Sequence, residues 1–96
     1  MKKTFYKTEH FIYRQWDRGV NDEVIEKIAC KLRGVPQKKS VIIASTDLLK
    51  KAGIAVKNTT NLIVISKGKV LITLFFVDDL YNYLKSLRGK LNTIIL

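Results

Sequence analysis

The sequence predicts an α+β domain, with two N-terminal helices packed on a small antiparallel sheet and a C-terminal helix after it. Three observations carry that expectation. Apolar residues recur at three- and four-residue steps early in the chain and again near its end, which is the helical period. Two β-branched, almost wholly apolar runs, residues 62–65 and 70–76, flank Ser66-Lys67-Gly68-Lys69, the pattern of a β-hairpin turning at Gly68. Helical and strand patterns are partly segregated, which favours an antiparallel sheet over alternating parallel units. At 96 residues the chain reads as one domain, residues 1–96.

The basic start, residues 1–7, reads as an arm or a short strand. Thr8 is a candidate N-cap, with Glu9 in the first turn where the helix dipole favours negative charge. The first helix is expected over residues 9–18, stopped by Gly19. Its 3.6-residue repeat lines up His10, Arg14 and Arg18 on one face, with Ile12 and Trp16 as a core-facing pair beside them. Asn21 caps a second helix, with Asp22 and Glu23 in its first turn. Val24, Ile25, Ile28, Ala29 and Leu32 mark its buried stripe, and Gly34 and Pro36 end it. Cys30 lies near the edge of that stripe and reads as a small core residue. Residues 41–45 form a β-branched strand, residues 48–52 a short helix closed by Gly53, and residues 54–56 an ambiguous apolar patch. The hairpin runs, nearly all apolar, are expected to be central and covered on at least one face. Asp78 is placed as the cap of the last helix, whose stripe is Leu80, Leu84, Leu87 and Leu91 and whose end is Gly89. The apolar tail, residues 91–96, should pack on the core, add an edge strand or mediate an oligomer.

The charge balance is lopsided, with 18 Lys and Arg against 8 Asp and Glu, a net +10. A polyanion is the first partner class this implies, and RNA is its leading member. An acidic protein or an anionic membrane surface is the next candidate, and a general preference for lysine as a solubilising residue is the plain alternative. One Cys forms no internal disulfide, and one His with one Cys builds no ordinary zinc site. The longest apolar run is far short of a membrane helix, and the basic start has no apolar stretch behind it to make a secretory signal. Together these predict a cytoplasmic protein without metal or cofactor. Glycine-rich phosphate loops, paired metal-binding carboxylates and Ser/His/Asp arrangements are absent, which disfavours those hydrolases and nucleotide-cofactor enzymes.

Metal-independent RNA cleavage needs a proton carrier and groups that hold the phosphate. His10 titrates near neutral pH, and Arg14 and Arg18 grip phosphate while staying charged. Thr73, the hydroxyl in the middle of the second hairpin run, can orient a phosphate oxygen. These four are the candidate catalytic residues. Each also has a plainer reading: an exposed imidazole, a solvated helix face and a strand-favouring threonine. Lys7, Lys38, Lys39, Lys67 and Lys69 are candidates for RNA backbone contact. Tyr13 is a candidate base-stacking residue, and Tyr6 and Trp16 have the same chemistry.

The order His10-x3-Arg14-x3-Arg18-Gly19-Val20, an acid-capped helix and a late hairpin bearing Thr73 resembles small domains of the RelE/barnase/colicin-like ribonuclease toxin superfamily. The resemblance covers residues 8–28 and 62–76. It implies two N-terminal helices on a curved antiparallel sheet and a toxin-like endoribonuclease whose site combines His10, Arg14, Arg18 and Thr73. It also implies RNA as substrate and an acidic antitoxin or immunity protein as partner. The alternative is a non-catalytic basic module, from a mobile element for instance, that holds nucleic acid or an acidic protein. A homo-oligomer through the C-terminal Leu stripe is a further expectation.

Overall fold

The computed structural model describes residues 5–35 and 37–96; Pro36, expected to help end the second helix, lies outside them, as does the start of the basic arm. In chain order the elements are β1 (Tyr6–Lys7), α1 (Glu9–Asp17), α2 (Asp22–Lys31), β2 (Lys39–Ala44), α3 (Thr46–Lys51), β3 (Asn61–Lys67), β4 (Val70–Val77), α4 (Leu80–Leu87) and β5 (Asn92–Ile95). Helices and strands are thus interspersed rather than segregated.

The small antiparallel sheet expected from the sequence is corrected to a five-stranded mixed sheet, ordered β1-β4-β3-β2-β5. Its centre, β2-β3-β4, is antiparallel. Both flanking strands are parallel to their neighbours, β1 to β4 and β5 to β2. The reason lies in the connections. The chain passes through two helices between β1 and β2, and α4 carries it from one end of β4 back to the other before β5 begins. A return of that kind allows parallel pairing, which a tight turn does not.

Both faces of the sheet are covered, and this explains why the hairpin runs are apolar at nearly every position. Phe11 of α1, Val24, Ile25 and Ile28 of α2 and Leu48 and Leu49 of α3 pack with Ile42, Leu62, Val64, Leu71 and Leu74 on one face. On the other, Val41, Ile43, Ile63 and Ile65 pack under Phe75, Leu80, Tyr83, Leu84 and Leu87. The Leu stripe of α4 is therefore an internal contact, and the tail is an edge strand.

The hairpin turns where expected. Gly68 has φ +58°, and Arg88 is the only described non-glycine residue with positive φ. A positive first and negative second central residue is the pattern of a type II′ turn. The pairing slips by one residue between Ile65 and Ser66, leaving Ile72 as an extra residue in β4. Helix caps largely follow the sequence. Thr8 and Asn21 accept from Phe11 N and Val24 N. The last helix is capped by Asp79 instead of Asp78, because the Asp78 carboxylate accepts from Thr60 Oγ1 at 2.6 Å. Residues 54–56 form no strand.

Candidate nucleic-acid interface

The α1 row was expected to carry the chemistry, with Ile12 and Trp16 in the core beside it. The structure turns α1 differently. Phe11 and Gln15 are its buried residues, while Ile12 and Trp16 are exposed, Trp16 by 78%. Gln15 is accommodated because its Nε2 donates to Asp22 Oδ1 at 2.8 Å. Tyr13 is also exposed, tilted against Trp16 with ring centroids 6.4 Å apart. Cys30, expected in the core, is exposed as well.

His10 is exposed and makes no hydrogen bond or ion pair among the described residues. Arg14 is half-buried, and Arg18 approaches Asp17 at 3.9 Å. Thr73 is not brought into this group. It pairs with Ile65, and paired residues of an antiparallel ladder share a face. Ile65 belongs to the cluster under α4, whereas α1 is anchored by Phe11 in the cluster opposite. Among the described residues no hydrogen bond joins Thr73 to His10, Arg14 or Arg18. Lys7 is also occupied. Its ammonium donates to Asp22 Oδ1, and that bond, with the one from Gln15, holds the Asp22 carboxyl below its ordinary pKa.

What the fold does assemble is a basic end of the sheet. Lys39 of β2 lies directly opposite Lys67 of β3, and Lys67 is opposite Val70 of β4 across the turn. Val70 in turn is beside Tyr6 of β1. Tyr6, Val70, Lys67 and Lys39 are thus consecutive across four strands, about 14 Å from first to last at ~4.8 Å per strand. All four are exposed. Alternation places them on the α4 face: Lys39 is two residues before Val41 and Lys67 two after Ile65, both under α4. Tyr6 follows Phe5, which packs into the cluster opposite. The row lies at the end of the sheet where β5 begins, beside the C-terminal end of α4.

Other cations converge on it. Lys69 is in the turn itself, and its carbonyl accepts from Tyr6 N at 2.7 Å. An open groove between β2 and the start of β5 is lined by Lys38, Lys39 and Lys90. Arg88, the left-handed C-cap of α4, immediately precedes that groove. Among the described residues none of these six cations forms an ion pair. Asp47, Asp78 and Asp79 follow the far ends of β2 and β4. Four of the six were legible as loop charges. Lys90 and Arg88 were missed because β5 was not assigned to the side of β2, and no local signal announces that pairing.

No family model, curated protein or solved structure matches this chain. No group of His, Cys, Asp and Glu suited to a metal occurs among the described residues, and no helix of theirs is long and apolar enough to cross a membrane.

Proposed function

We propose that this domain is a nucleic-acid-binding module that holds RNA by its phosphate backbone at the basic end of the sheet. The observation that carries the reading is the Lys39–Lys67 pair. Like charges placed directly opposite in a ladder oppose folding, and no carboxylate among the described residues relieves them. A row of phosphates would. Lys38, Lys69, Lys90 and Arg88 extend the same field. Ribonuclease action through His10, Arg14, Arg18 and Thr73 has less support, because Thr73 and α1's anchor lie on opposite faces.

The test is binding of a labelled RNA oligonucleotide across a salt series. Affinity is expected to fall steeply with salt, and Lys39→Gln and Lys67→Gln are each expected to weaken binding and reduce the log–log salt slope by about 1. The RNA should remain intact throughout. Salt-independent binding, or full affinity in the double variant, would remove the basic end from the reading. Cleavage lost in His10→Ala would restore the nuclease.

A further inference from the structure

We propose that the ligand of the basic end is single-stranded, with one base stacked on the Tyr6 ring while its neighbouring phosphates lie on Lys67 and Lys39; this rests on the nucleic-acid reading above. Tyr6 is 64% exposed although it sits in a strand on a sheet face, where a ring of that size is normally covered. Its register fixes it beside Val70, itself 40% exposed, and one strand further from Lys67. The order across the face is therefore aromatic, apolar, cation, cation, all on the side that α4 leaves open at this end. Flat rings on a sheet face flanked by cations take up unpaired bases, because every base has a π-face and a single strand can turn it outward. In a duplex the bases are stacked on one another, so a ring in this position has nothing to receive.

Tyr6 is held for the task by backbone, not by its own side chain. Tyr6 N donates to Lys69 O, and Phe5 and Lys7 on either side are fixed by the core and by Asp22. Of the other exposed aromatics, Tyr81 on α4 already has the Lys85 ammonium 5.5 Å from its ring centroid, while Tyr13 and Trp16 share α1 with Glu9 and Asp17, and residues 5–26 carry three cations against five acids. That surface is the poorer place for a polyanion.

The experiment compares a single-stranded RNA of about ten nucleotides with a duplex of the same sequence, using wild type, Tyr6→Ala, Tyr6→Trp and Trp16→Ala. Loss of one stacked base is expected to lower single-strand affinity in Tyr6→Ala about 5- to 150-fold with the salt slope unchanged. Tyr6→Trp should retain affinity, Trp16→Ala should match wild type, and duplex binding should be the same in Tyr6→Ala as in wild type. Wild-type affinity in Tyr6→Ala, an equal loss on duplex, or a loss in Trp16→Ala instead overturns the stacking proposal while leaving the backbone-binding reading in place. Failure of the wild type to bind either RNA at low salt overturns both. An unchanged melting temperature in Tyr6→Ala keeps the comparison free of folding effects.

Discussion

Trp16 and Phe11 show how far single residues can be read. Both are large, apolar and on the same nine-residue helix, yet one is 78% exposed and the other fully buried. The sequence offers two apolar stripes about 100° apart, one through Phe11 and one through Ile12 and Trp16, and periodicity alone does not choose between them. Gln15 decides it, because a polar side chain can be buried when Asp22 accepts its hydrogen bond, a pairing no local pattern announces. Trp16→Ala is accordingly expected to change stability by no more than about 0.5 kcal/mol, and Phe11→Ala to cost about 3–5 kcal/mol, read by chemical denaturation. Thr8 and Asn21, by contrast, were legible as caps because capping is a local bond. Asp22 carries a pH effect. Its folded pKa lies below the unfolded value of about 3.9, so its contribution is present above that value and is lost as pH falls through the lowered one. The effect should be modest, since the side chain is 77% exposed, and Asp22→Asn should remove it from the acid limb of a stability–pH curve. Ser66 is a different case. Its hydroxyl is buried without a hydrogen-bond partner among the described residues, so Ser66→Ala should leave the melting temperature unchanged or raise it.

Among the elements, the hairpin was the most legible, because a glycine at the first central position and two β-branched arms form one contiguous signal. Gly68→Ala should destabilise by about 1–3 kcal/mol, since the positive φ of +58° at the first central position of the turn penalises a Cβ, and thermal melting would register it. The parallel edges were not legible. β1 is two residues long and carries no periodicity, and its partner at Val70 lies most of the chain away. β5 pairs with β2 at Ser40–Asn92, where Asn92 Nδ2 donates to Ser40 Oγ at 3.1 Å, an equally distant match. Such pairings depend on where α2 and α4 deliver the chain, which is a property of packing rather than of any window. Of the expected Leu stripe, Leu80, Leu84 and Leu87 lie on α4 while Leu91 falls past its end, and the stripe's destination, the second face of the sheet, also accounts for the continuous apolar runs.

Charge is unevenly distributed over the whole molecule. Residues 27–96 hold thirteen cations against three acids, the whole of the net +10, while residues 5–26 lean acidic. The total was plain from composition, but the gathering of six of those thirteen cations at one end of the sheet follows only from strand order. If Lys39 and Lys67 are kept for a ligand, Lys39→Gln should raise the melting temperature at low salt even as it weakens RNA binding. That gain should fade towards about 1 M NaCl, where the Debye length is about 3 Å. The extra residue Ile72 bears on a separate hazard. The outer margin of β4, Val-Leu-Ile-Thr-Leu-Phe-Phe-Val, is paired with β1 for only two residues before the bulge. There the Thr8 hydroxyl donates to Ile72 O at 2.8 Å and starts α1, which packs against the same strand. An uncharged, proline-free segment of this kind is what cross-β fibrils recruit. The bulge carbonyl and its threonine thus moor a guard over a stretch with that composition, and Thr8→Val should shorten the lag before thioflavin-positive aggregates form while the native fold persists.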